Sequence, residues 1–456
     1  MTLDKTSRYL LVVLAFIVSA CSAPATEAPA AAVVPATEAP AAAVVPATEA
    51  PAATAAPLEP ATLKLTLSQG GTSAVEFAVS KFKEKFPGSD VVIEEVPFND
   101  LNQTLIMQYG QGQNPDVSIM FSLKSFAAQG LLEDLSGKMS ESHSFKHLTP
   151  GQLERIEYDG KNWAITHGNN FPVLFYNIDL LKKAGVVNYP PKTWAELEDA
   201  CKKIQEANIE IGGKKVVPYV FPSYRWFISP FIWQAGGQEI NDDKTEVLLD
   251  SPEAIEGLEF AQGLIKKGYS IKPEGEAAQE VAGSFISGWS AFYVGGVWTT
   301  AGIIEAGINF DVTTLPGKTE DLVATSIGGA EFVIYNNSKH KELSWEFLKI
   351  LDSEESQLSN VKKGGINPTA TYLFEEPYFS AISSVIPQYK YQVSGDLKSF
   401  PISHYSYIEG PFWYLEGGNS WQATIESILI DLVDVKPAMT ALDAELQEKL
   451  DEYWKK

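Results

Sequence analysis

The sequence predicts an α/β protein, and residues 62–121 carry the observations that predict it. Residues 62–67, TLKLTL, alternate with the period of two that lays one face of a strand on a core. After the turn at Gln69-Gly70, Val75, Ala78, Val79, Phe82 and Phe86 fall at helical spacing until Pro87-Gly88 stops them. Residues 91–96, 101–109 and 116–121 then repeat the order strand, helix, strand. Such alternation argues for a parallel sheet covered by helices. Ligands of these sheets sit beyond the carboxyl ends of the strands, which makes the turn at Gln69-Gly70 and the exit at Met120-Phe121-Ser122 candidate cleft positions.

Further along, helices announce themselves by their caps. Thr193 and Glu196 form a capping box, and Ser251-Pro252 pairs a cap with a first-turn proline, the helix ending at Lys266-Lys267-Gly268. Ser338 opens a helix through Leu343, Phe347 and Leu351. Trp194, Leu197, Cys201 and Ile204 share one helical stripe, which reads Cys201 as a small buried hydrophobe. Trp345 and Trp454 lie on amphipathic helices and are assigned to packing, like Trp194.

Upstream, Lys5 and Arg8 precede an apolar run over residues 9–18 that ends in Ser19-Ala20. That is the layout of an export signal, and the run is shorter than the ~20 residues a membrane span needs. Val18-Ser19-Ala20-Cys21 resembles a bacterial lipobox, in which the cysteine becomes the lipidated first residue of the mature chain. Residues 24–34 read PATEAPAAAVV, and residues 35–45 repeat them. Regular prolines block helix interiors and remove backbone donors, so residues 21–60 are expected to be a disordered tether behind a signal peptide of residues 1–20. In the polyproline II limit of ~3.1 Å per residue, the 35 residues 22–56 of this tether reach roughly 110 Å.

The formal charge is −23, and loss of residues 1–20 leaves −24. Nucleic-acid binding, which needs a basic footprint, is excluded as an expectation. With two cysteines, one of them Cys21, no intramolecular disulfide is expected. Catalytic signals are thin. His143 and His147 stand four apart without the glutamate of a zinc-protease motif, and Gly317-Lys318-Thr319 lacks the first glycine of a phosphate loop, since position 312 is Val. The sequence implies no catalytic residue, no metal and no cofactor.

Three segments carry a family resemblance: residues 158–163 (YDGKNW), 175–185 (FYNIDLLKKAG) and 190–197 (PPKTWAEL). Together they resemble the family 1 extracellular solute-binding proteins, the carbohydrate receptors of ABC importers of the maltodextrin-binding type. Residues 114–117 (NPDV), 295–298 (GGVW), Gly328-Gly329 and 365–368 (GINP) agree and keep the family's order. The resemblance implies a two-lobe periplasmic-binding-protein-like clamp of type II with three interlobe crossings. Residues 62–168 and 328–365 would form the N-terminal lobe, and 169–327 and 366–456 the C-terminal lobe. Gly168 to Pro172 would be the first crossing.

Aromatic rings cover the C–H faces of sugars and planar polar groups bond their hydroxyls. By resemblance, Trp226 sits in an aromatic loop that stacks on sugar, Trp298 and Trp421 line the cleft, and Trp413 is a secondary candidate. Gln69, Gly70, Ser122, Asn170, Arg225, Gly328, Gly329 and Asn367 complete the expected ligand-binding set. Glu331 either serves a hydroxyl or is a solvated strand end. Gln69 and Asn170 stand where the family's best-known member has acidic groups, which argues for a different ligand. The expected function is an extracytoplasmic lipoprotein, anchored through Cys21 on the outer face of the plasma membrane or in the periplasm. It would capture a sugar or oligosaccharide as a monomer and deliver it to ABC permease subunits. The alternatives are the same clamp on a non-sugar solute, an anchored sensor or adhesin, and a glycosidase.

Overall fold

Leu63, Leu65 and Leu67 alternate along the first strand into a common core, and Val75, Ala78 and Phe82 of the helix Thr72–Lys85 cover them at the expected spacing. The structure, a computed structural model, describes residues 58–148, 150–273, 278–326, 328–362, 369, 373 and 419–455. Cys21, the tether, Asn367 and Trp413 lie outside the described residues.

The strands are β1 (Thr62–Ser68), β2 (Asp90–Val96), β3 (Val117–Met120), β4 (Glu157–Tyr158), β5 (Lys161–Asn162), β6 (Ile165–Asn170), β7 (Val173–Asn177), β8 (Glu210–Ile211), β9 (Lys214–Lys215), β10 (Val217–Val220), β11 (Ser290–Gly295), β12 (Phe310–Thr313) and β13 (Gly328–Ile334). Two sheets form, in the orders β2-β1-β3-β13-β6 and β10-β11-β7-β12, with β4-β5 and β8-β9 as short hairpins. In the first sheet β1 runs parallel to β2 and β3, as strand–helix alternation predicts. Against that prediction, β13 lies antiparallel to both β3 and β6, so the sheet is mixed. The reason is topological: β13 returns from the other lobe, and a returning strand enters from the opposite end.

Each sheet has its own core. In the second sheet Leu174 and Tyr176 of β7 face one apolar cluster, while Val173 and Phe175 face another with Phe285, Tyr293 and Phe310. Both faces are covered, which is why β7 and β11 are buried at every position rather than alternately polar.

The caps at Thr193 and Ser251 form as read, and the one at Ser338 does not. Glu196 N–H donates to Thr193 Oγ1 at 3.3 Å, and the Glu196 carboxylate reaches back to Lys192 N–H at 2.7 Å, one residue before the usual partner. Ala254 N–H donates to Ser251 Oγ at 3.3 Å. Ser338 stands before its helix, which begins at Lys341; its hydroxyl donates to Asp116 Oδ1 instead. Trp194 stacks on Phe260 with centroids 4.0 Å apart, and Cys201 is fully buried, with burial pushing its thiol pKa up. Trp454 departs from its assignment to packing: it is 54% exposed, and its Nε1–H donates to the Lys244 carbonyl at 2.8 Å. Its place on the last turn of the helix Val435–Trp454 leaves the ring beyond the core that Leu442, Leu446 and Leu450 reach.

Burial separates the two end cases. Trp345→Ala empties a fully packed site in the first core and should cost about 3–5 kcal/mol. Trp454→Ala removes a surface ring and should cost about 1 kcal/mol. Urea unfolding of both variants, followed by circular dichroism, checks the contrast.

Candidate functional site

The strand registers bring the two sheets together at one edge. Ser68 pairs with Val96 and Thr66 with Ser118, so the carboxyl ends of β1, β2 and β3 emerge side by side at Gln69, Pro97 and Phe121-Ser122. Because β13 is antiparallel, its amino end at Gly328 arrives at this same edge, opposite Asn170 at the end of β6. Phe171-Pro172 then carries the chain directly into β7 of the second sheet. There Val173 pairs with Gly295 and Tyr293 with Val220, which places Trp298 and residues 221–226 beside the crossing. The β6 ladder continues to Asn170, two residues past the expected lobe boundary at 168.

Two crossings run together here. The pairing of Gly328 with Asn170 but Ala330 with His167 leaves one extra residue in β6, a bulge at which Gly168 takes φ 85°, a conformation that favours glycine. The Gly168 N–H donates to Thr369 Oγ1 at 2.7 Å, seating the third passage of the chain on the same strand. Gly328 and Gly329 are required by close approach. A Cβ on Gly328 would lie 3.0 Å from the Trp226 ring, and one on Gly329 would lie 2.5 Å from the Gly168 carbonyl oxygen. These glycines therefore line the crossing and give the Trp226 ring its seat.

Trp226 and Trp298 meet with centroids 5.8 Å apart at 35°, both partly buried against the second core. The Trp298 ring lies over the Gly296 backbone, where a Cβ would sit 1.9 Å from Cζ3; only glycine leaves room for that rotamer. On the first lobe Ser122 Oγ accepts from Asn102 Nδ2 at 2.8 Å. Asn102 Oδ1 and Trp226 Nε1 are both buried without a hydrogen-bond partner. Gln69 and Gly70 are exposed, and the Gln69 N–H donates to the Val96 carbonyl at 2.8 Å. Asn170 is half-buried.

Two expected ligand residues are placed elsewhere. Trp421 is 0% exposed within the second core, and its Nε1–H donates to Glu239 Oε1 at 2.9 Å. Arg225 is buried with its Nε 3.7 Å from the same oxygen, and Ser229 Oγ donates to it at 2.8 Å. A buried carboxylate needs such partners, so Glu239 draws both side chains inward. Glu331 is neither a solvated strand end nor a ligand to a hydroxyl, being buried and paired with Arg155. Burial pushes its carboxyl pKa up to about 7, with Arg155 pulling the other way.

Asn102, Phe98 and Tyr224 are at this edge and were not on the expected set, whereas Phe121 was a candidate cleft position. Phe98 meets Phe121 at 5.0 Å and Tyr224 of the second lobe at 5.8 Å. Their one sequence signal is position, at the carboxyl ends of predicted strands or beside Trp226. Among the described residues, no group of three or more His, Cys, Asp or Glu could hold a metal ion, and no helix is long and apolar enough to cross a membrane.

Residues 66–358 match the family model of the bacterial extracellular solute-binding proteins. The chain belongs to that family. This solute-binding protein is 31% identical over 270 residues to a maltotriose-binding protein of Pyrococcus abyssi, a match covering 58% of this chain and 56% of that one. It thus spans little more than half of that relative's length. In structure it is similar to an ABC substrate-binding protein from Listeria monocytogenes in complex with cycloalternan, with TM-score 0.74, 21% identity, and coverage of 86% of this chain and 100% of that one. It is similar likewise to UgpB from Mycobacterium tuberculosis in complex with glycerophosphocholine, with TM-score 0.74, 20% identity, and coverage of 87% and 100%. These likenesses establish the two-lobe fold of this solute-binding protein.

The crossing also contains a titrating group. Burial pushes the His167 imidazole pKa down to about 4, beside Asn360 and edge-on to Phe332. Neutral His167 therefore adds stability that is complete above its ordinary value of 6.5 and is lost as the pH falls toward 4. Glu331 runs the other way, its contribution complete below 4.5 and lost as the pH rises through 7. Relative to His167→Gln, the wild type should lose about 3 kcal/mol between the upper and lower ends of the histidine window. Melting temperatures of both proteins across that range give the difference.

Proposed function

We propose that this protein is an extracytoplasmic receptor that captures a sugar or oligosaccharide between its lobes and hands it to an ABC permease. The observation that carries the reading is the pair Trp226 and Trp298, set where both lobes meet. Flat aromatic surface at a cleft suits the C–H face of a sugar ring at little entropic cost. Polar atoms at this edge suit hydroxyls, which donate and accept: Trp226 Nε1 offers a donor and Asn102 Oδ1, next to Ser122, an acceptor. Ser122, Asn170 and Gln69 stand at the same edge. The ligands of the relatives, maltotriose and cycloalternan, support a carbohydrate. The lobes would be those expected, 62–168 with 328–365 and 169–327 with 366–456, the first crossing running through Asn170. Asn367 and Trp413 stay candidates on the sequence reading alone.

Closure follows from differential contact: a ligand touching both lobes favours the closed state by its extra contacts there. No step of this cycle makes or breaks a covalent bond, so we read the protein as a receptor and not an enzyme. Cys21 would carry the lipid that holds the receptor near its permease, and the tether would let it move while keeping its local concentration high.

Thermal-shift screening against a glycan panel, followed by calorimetry, tests the ligand class. Trp298→Ala should weaken binding of the sugar found by about tenfold or more while leaving the fold intact. A panel on which only glycerophosphodiesters or peptides shift the melt would replace the sugar with that solute. For the anchor, Cys21→Ser should send the protein from the membrane fraction to the medium without changing ligand affinity; retention in the membrane fraction would refute lipidation at this residue.

A further inference from the structure

The contact between Phe98 and Tyr224 joins the lobes beside the tryptophan pair, and sugar stacking on that pair does not account for it. Phe98 follows Pro97 at the carboxyl end of β2, in the short turn Phe98–Asp100, and is 38% exposed. Its ring touches Phe121 on its own lobe and, edge to face at 88°, Tyr224 across the cleft. Tyr224 is the fixed partner. It caps the helix Arg225–Gln234, packs on the second core, and its carbonyl accepts from Phe227 N–H at 2.8 Å.

A sugar held between two aromatic groups needs a contact distance of about 4 Å on each side, so roughly 8 Å between them. The two centroids stand 5.8 Å apart. A sugar therefore cannot pass between Phe98 and Tyr224 while the lobes keep this contact. We propose that Phe98 is a specificity-determining residue whose ring, set against Tyr224, closes one end of the cleft and limits the length of oligosaccharide taken. This rests on the carbohydrate reading above. Phe98 meets its two partners ring to ring, so the limit is steric.

The test uses the full chain carrying Cys21→Ser, with and without Phe98→Ala or Phe98→Trp. Calorimetry against linear glucan series, maltose to maltoheptaose and cellobiose to cellohexaose, gives affinity as a function of length. Phe98→Ala should raise the affinity for the longest bound member relative to the shortest by about two- to tenfold, and Phe98→Trp should keep the wild-type profile. An unchanged length profile in Phe98→Ala overturns the proposal. If no glycan binds either protein, the carbohydrate reading falls and the end closure is judged by small-angle scattering without ligand. A larger radius of gyration in Phe98→Ala then supports the closing contact, and an equal radius overturns it. Should Phe98→Ala melt far below the wild type, Phe98→Leu, which keeps an apolar contact on Phe121 without the ring edge, carries the same comparison.

Discussion

Gly328 pairs with Asn170 while Thr325 Oγ1 donates to the Pro172 carbonyl at 2.8 Å, so the outgoing and returning crossings lie side by side. Everything at the cleft depends on that contact. It fixes the edge at which both sheets end, and so the edge at which the loops carrying Gln69, Ser122 and Trp298 emerge. It also explains why side chains are excluded there. Trp226 fills the space against Gly328, and the Gly168 carbonyl and Arg155 fill the space against Gly329. Two packed arrangements of such a crossing, one open and one closed, are the physical basis of a clamp.

Charge buried near the crossing holds the loops still. Glu239 gathers Arg225, Ser229 and Trp421 into one site, which ties the start of the helix Arg225–Gln234 to the helix Asn419–Glu426. Gln422 adds to this by accepting from the Arg225 N–H at 3.1 Å. Trp226, expected in a loop, thus stands on the first turn of a clamped helix, and the entropy of ordering it is largely spent on folding. In the first lobe Arg155 and Glu331 do comparable work beneath Gly329. An ion pair in such a place is retained for position more than for net stability, since desolvation offsets most of its attraction.

Much of the fold was legible because its signals are local. The stripe of Val75, Ala78 and Phe82, the cap of Thr193 and the proline after Ser251 need only neighbours within a few residues, and each element formed where these put it. The place of Trp226, Trp298, Ser122 and Asn170 at the edge where the two sheets meet was also legible, through strand ends and the order of family segments. Arg225 and Trp421 were not. Sequence shows an arginine and a tryptophan near aromatic or glycine-rich turns; it does not show that Glu239, many residues away, will turn both inward. Phe98 escaped for the converse reason, being an apolar residue whose partner, Tyr224, belongs to the other lobe.

By itself the sequence determined the α/β class, the family and the expectation of a sugar-sized cleft, because periodicity, caps and ordered motifs are properties of contiguous residues. Only the tertiary structure decided which way β13 runs, which side chains face the cleft and which face the core, and that Phe98 meets Tyr224 across the lobes. Those outcomes depend on pairings between segments far apart in the chain, where burial of a single carboxylate or the approach of two glycines outweighs any local preference.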